Sequence, residues 1–220
     1  MPLNRRLAAE FLGTAFLLVA VVGGGIAAQR LSPDDVGLQL FEAAVVTAFG
    51  LAVFIMMFGP ISGAHFNPSV TLTDMLLGRR TKTEALAYIA AQILGGVFGT
   101  VLANLMFELP AVEISTTVRS GSGQWLGELV ATIGLLLVIF LLIRHAASIY
   151  AIGGAVGAYI GGAYFFTSST SFANPAVAIA RMFSDTFAGI APASAPAFIF
   201  AQLLAVPLVV AMLRFWTVDE

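Results

Sequence analysis

Gly63-Ala64-His65-Phe66-Asn67-Pro68-Ser69-Val70 breaks an otherwise apolar stretch, and Ser171-Phe172-Ala173-Asn174-Pro175-Ala176-Val177 repeats its pattern in the second half of the chain. Proline suits the first position of a helix, where its missing N–H has no partner to lose. Asparagine directly before it is a preferred N-cap. Asn67-Pro68 and Asn174-Pro175 therefore each predict a helix that starts abruptly and runs for about ten residues. Its positive dipole end and free N–H groups are left exposed. Two such starts in apolar surroundings predict a pair of half-helices whose tips meet.

Hydrophobic residues make up 59% of the 220 and charged residues only 10%, with a mean hydropathy of +0.97. A soluble domain carries roughly a quarter charged residues, so the chain reads as an integral membrane protein. The net charge of −2 comes without any basic run or arginine-aromatic interleaving, so nucleic acid is not an expected partner. Cysteine is absent, which removes disulfides, thiolate metal sites and cysteine nucleophiles. His65 and His145 are the only histidines, too few for a multi-histidine metal site. No nucleophile–base pair or cofactor motif stands out, so neither an enzyme nor a cofactor is expected. Arg5-Arg6 leads into a stretch long enough to span, without a small-residue cleavage site. It reads as a retained first helix and not as a signal peptide.

Six apolar segments, near 7–28, 36–58, 84–107, 125–143, 149–166 and 195–214, are long enough to cross a bilayer. The Asn-Pro stretches fall between the second and third and between the fifth and sixth, interrupted by Pro and Gly as re-entrant helices are. The halves also match elsewhere. Ala9-Glu10-Phe11-Leu12-Gly13-Thr14 is answered by Gly127-Glu128-Leu129-Val130-Ala131-Thr132, and Ala91-Gln92-Ile93-Leu94 by Ala201-Gln202-Leu203-Leu204. The predicted architecture is an all-α membrane protein. It has six transmembrane helices plus two re-entrant half-helices, in an inverted repeat of residues 1–109 and 120–220 within one domain, 1–220. Three spans per repeat is odd, so the second copy lies upside down, and the site falls near the midplane where the broken helices meet. Arg5, Arg6, Arg79, Arg80, Lys82, Arg144 and Arg214 fall on one side, against Arg30, Arg119 and Arg181 on the other. The positive-inside rule then puts both termini in the cytoplasm, in a plasma membrane of the bacterial inner-membrane kind. Gly95, Gly96, Gly99, Gly153, Gly154, Gly157, Gly161 and Gly162 allow close helix packing.

"SGAHFNPSVT" at 62–71 and "FANPAV" at 172–177, with six spans and the paired Glu and Gln, resemble the aquaporins, the major intrinsic proteins. The resemblance covers nearly the whole chain. It implies a passive channel for small neutral solutes, embedded in lipid and assembled as a homotetramer. Pore selectivity of this kind comes from diameter, lining hydrogen-bond groups and electrostatic barriers such as half-helix dipoles. Asn67 and Asn174 would cap their helices while offering side-chain N–H groups to a passing oxygen. As plain N-caps, with no pore, two such buried groups at one depth would be costly.

The resemblance also implies a filter at four positions: Thr47, Gly162, Ser171 and the residue three after the second Asn. That last place usually holds Arg, and this chain has Val177. The expected ring is therefore wide and neutral, relaxing selection by size and charge. Phe172 is an alternative to Ser171. Arg181 lies four residues beyond Val177, about 40° round the helix. It either reaches back into the vestibule or anchors at the interface.

The matching glutamates of the family are structural, so Glu10 and Glu128 are expected to accept hydrogen bonds from the re-entrant loops; a proton relay is the other reading. Gln92 and Gln202 are expected to bind loop backbone. His65 would brace its loop, with pH gating as its alternative role. The implied solutes are water plus polyols, urea or metalloid hydroxides such as arsenite. A water-selective pore, marked by a bulky aromatic in the gap beside Thr47 and Gly162, is the alternative, and a proton-coupled secondary transporter is a further one.

Overall fold

The computed structural model describes residues 1–216. Among them are eight α-helices and one 3-10 turn: α1 (Leu3–Leu31), α2 (Val36–Ser62), α3 (Pro68–Leu76), α4 (Lys82–Met106), α5 (Ser122–Arg144), α6 (Ile149–Phe166), α7 (Pro175–Ala180), the turn Arg181–Phe183, and α8 (Ala195–Phe215). Six of the described helices are long and apolar enough to cross a membrane. Their bounds lie within a few residues of the expected spans, and side-chain caps set where three of them begin. Asp35 accepts from the Leu38 N–H at 2.9 Å to start α2. Thr81 and Glu84 form a capping box at α4. Ser148 accepts from the Ala151 N–H at 3.2 Å to start α6.

The two half-helices differ in length. α3 runs for 9 residues, close to expectation, whereas α7 stops after 6. The chain tightens there because its next carbonyls are engaged elsewhere. Met182 O accepts from the Ser115 N–H at 2.9 Å, and Phe183 O accepts from the Asn104 amide at 3.0 Å. Ser115 on the 107–121 connection and Asn104 at the end of α4 thus hold the chain just past α7.

α1 packs most extensively on α4 and α2, and α2 on α6. Two crossings depend on missing side chains. A Cβ at Gly95 would lie 2.2 Å from Phe11 O, and one at Gly99 equally close to Ala15 O. With little hydrophobic gain available between helices in lipid, this backbone-to-backbone approach supplies the packing. Overpacking of this kind costs about 1–3 kcal/mol. Gly95→Ala is therefore expected to lower the thermal unfolding midpoint in detergent. Gly154→Ala, whose Cβ would meet nothing within 4 Å, is expected to leave the midpoint where it is or raise it.

Candidate functional site

The loops that lead into α3 and α7 share one unusual backbone. Ala64 and Phe66 both have φ of 49°, and their counterparts Ser171 and Ala173 have 50° and 48°. None is glycine, and the left-handed region costs such residues roughly 1–2 kcal/mol each. A buried carboxylate compensates each loop. Glu10 accepts from the His65 N–H at 3.0 Å, the Phe66 N–H at 2.8 Å, the Ser62 hydroxyl at 2.6 Å and the Gln92 amide at 2.8 Å. Glu128 accepts from the Phe172 and Ala173 N–H groups, both at 2.8 Å, and from the Gln202 amide at 2.5 Å, so Gln92 and Gln202 bind these carboxyl groups and not the loop backbone as expected. Every one of these partners is a donor, and hydrogen bonds to a charged group are each worth about 1.5–3 kcal/mol.

The strained loops bring the two helix starts together. Asn67 caps α3 by accepting from the Ser69 N–H at 2.9 Å, and Asn174 caps α7 by accepting from Ala176 and Val177 at 3.0 and 3.3 Å. Their amide nitrogens cross over: Asn67 donates to Ala173 O at 2.7 Å and Asn174 to Phe66 O at 2.8 Å. Each NH2 has two protons, so this reciprocal pairing leaves one N–H per asparagine. Both side chains line the same central cavity. Two positive helix ends thus abut at one point, each tipped by a donor.

That cavity continues into a vestibule on either side. On the side of the termini the vestibule takes in Asp74, Arg79 and Arg80, sharing His65 and Val70 with the centre. On the far side it takes in Arg119, Thr170 and Phe187, sharing Val21, Tyr164 and Arg181. Thr47, Ser171, Phe172 and Val177 also line the centre. Gly162 does not. The cavity face of α6 carries Val156, Ile160 and Tyr164, four residues apart. Gly162 is exposed on the opposite face, since two residues turn a helix by about 200°. Tyr164 takes the place assigned to it, and its hydroxyl meets the Thr47 hydroxyl at 2.9 Å. Arg181 borders the same cavity. Arg181 is only 4% exposed, lies with its guanidinium 3.5 Å from the Phe172 ring centroid, and donates Nε–H to Ala188 O. It borders both the central cavity and the far-side vestibule.

The two loops differ where their residues correspond. His65 and Phe172 each lie two before their Asn, and Asp74 and Arg181 each lie seven after. His65 Nδ1 is 3.1 Å from the Thr71 hydroxyl, and its Nε2 is 3.7 Å from the Asp74 carboxylate. Arg80 donates to Asp74 at 3.2 Å and covers the Tyr88 ring. His65 therefore braces the loop and also borders the cavity. Tyr164 and Arg119 had no place in the sequence-based site. The repeat Val156–Ile160–Tyr164 was a signal for the first, while Arg119 on an irregular connection gave none.

The family model described as Major intrinsic protein matches residues 1–166, a span that ends before the second Asn-Pro. Aquaglyceroporin AqpS of Rhizobium meliloti (strain 1021) is 48% identical over 213 residues, covering 97% of this chain and 90% of that protein. Aquaporin NIP1-1 of Zea mays is 34% identical over 165 residues, 73% of this chain but 57% of that protein. The X-ray structure of the aquaglyceroporin from Plasmodium falciparum matches with a TM-score of 0.73 at 23% identity, over 96% of this chain and 93% of that one.

Glu128→Gln replaces one acceptor oxygen by a donor, so at least one buried N–H of the α7 loop loses its partner. The expected loss is about 1–3 kcal/mol, read as a lower unfolding midpoint in detergent. Glu10→Gln should behave alike, and an unchanged midpoint in both would contradict the bracing role of the carboxylates.

Proposed function

This chain belongs to the major intrinsic protein family, and on that premise we propose that it is a passive, uncoupled channel for small neutral solutes. Water, polyols, urea and metalloid hydroxides such as arsenite are the solutes the reading covers. The observation that carries it is the meeting of Asn67 and Asn174 on one cavity. A neutral molecule that sheds bulk water there gains two amide donors. A cation instead meets two positive helix ends inside an apolar wall and is turned back. A water bonded to both amides is held in a fixed orientation, which interrupts proton hopping. Both termini are assigned to the cytoplasm from the placement of Lys and Arg, and a homotetramer in the plasma membrane is the assembly that the family resemblance suggests.

A coupled transporter finds less support. Glu10 and Glu128 have partners that only donate, which suits fixed carboxylates better than a relay. The water-selective reading does have an observation in its favour. Tyr164, joined to Thr47, is a bulky aromatic in the place where Gly162 was expected to leave a gap.

Stopped-flow light scattering on proteoliposomes separates these readings. The broad reading expects glycerol, urea and arsenite fluxes above those of empty liposomes, and the water-selective reading expects only water to exceed them. Val177→Arg is expected to suppress the larger solutes while water still passes; equal passage of larger solutes in this variant would remove Val177 from the filter. The natural chain has no cysteine, so Val177→Cys should make water flux sensitive to mercury. Gly162→Cys should not.

A further inference from the structure

Arg181 is the least explained side chain in the conduit. It is buried, no ion pair joins it to a carboxylate among the described residues, and its described hydrogen bond uses Nε alone. The Phe172 ring supports one face of the guanidinium, and Phe172 is itself held edge-on by Phe198 at 5.2 Å. Stacking on an aromatic face and a fixed Nε–H bond leave the fork of terminal nitrogens free of protein acceptors and oriented as a unit. Arg181 and Tyr164 both border the central cavity and the far-side vestibule, so they stand where one passes into the other. Ser171, on the same central cavity, has a buried hydroxyl with no hydrogen-bond partner. Arg119, 5.2 Å from Phe172 on the ring's surroundings, adds a second positive charge to a vestibule whose lining includes no acid.

We propose that the solute filter of this channel is displaced outward by one helical turn. Arg181, positioned by Phe172 and Ala188 O, supplies the cation that Val177 omits, and Tyr164, tied to Thr47, forms the opposite wall. The unspent N–H groups of Arg181 then bind the oxygen of a solute entering from the far side, with the Ser171 hydroxyl as the next station. Phe172 acts through Arg181 as a positioning residue. The guanidinium then adds a charge barrier where the far-side vestibule enters the centre to the one the helix starts raise between the asparagines.

The proposal rests on the neutral-solute channel reading, and one set of proteoliposome measurements keeps the two apart. Wild type, Arg181→Gln, Phe172→Leu, Phe172→Tyr and Tyr164→Ala are compared for water flux, the glycerol-to-water permeability ratio and potassium leak. Arg181→Gln is expected to raise the glycerol-to-water ratio several-fold and to raise the potassium leak. Phe172→Leu should do the same to a smaller extent, and Phe172→Tyr, which keeps a stacking face, should restore the wild-type ratio; a purely structural role for Phe172 would not move that ratio. Tyr164→Ala, on a separate helix, should raise the ratio without the leak, and it decides the wall assignment even where Arg181→Gln does not fold. Ratios and leak at wild-type values in Arg181→Gln and Tyr164→Ala would overturn the displaced filter. Absence of water flux through wild type would instead overturn the channel reading, and the filter with it.

Discussion

Two buried carboxylates hold backbone N–H groups that nothing else in the fold could satisfy, and the rest of the structure depends on that. Glu10 and Glu128 come from the first helix of each half and reach the loops before Asn67 and Asn174. Those loops carry alternate residues in the left-handed region, a conformation a chain of alanine, phenylalanine and serine does not adopt unaided. At membrane depth there is no water to bind the exposed N–H groups. A carboxyl side chain, itself costly in lipid, is therefore matched to a backbone that is equally costly without it. Each cost offsets the other, and the reward is a pair of helix starts aimed at one point.

From that point outward the halves diverge. The loop on the side of the termini is polar and self-neutralising, with His65, Asp74 and Arg80 in one cluster. The far-side loop puts Phe172 in the place of His65 and Arg181 in the place of Asp74. One backbone plan thus carries an acid–base cluster at one mouth and a stacked cation at the other. The early end of α7 belongs to the same divergence. The 107–121 connection binds the carbonyls of Met182 and Phe183 just past α7, and Arg181 at that end lies over Phe172.

The fold was legible in the sequence because its signals are local or periodic. Span length, the Asn-Pro starts and the Glu and Gln pairs each need only a short window, and their order exposes the two-fold plan. Side-chain aim at the far mouth was not legible in the same way. Gly162 was assigned through the family resemblance, and a two-residue offset on a helix reverses the face. Tyr164 occupies the cavity face instead. The shortening of α7 depends on Ser115 and Asn104, which are remote in sequence, so no reading of 174–184 alone could show it. Arg181 was visible as a candidate, but its support on Phe172 and Ala188 is a tertiary fact.

The proposed pore rests on the claim that the abutting helix starts pass uncharged molecules and stop ions, protons included. Measuring osmotic water flux and the decay of an imposed pH gradient on one batch of wild-type proteoliposomes tests it most directly. Water flux well above that of empty liposomes, with proton leak equal to theirs, is the expected result. Proton leak that rises in step with water flux as more protein is reconstituted would contradict it.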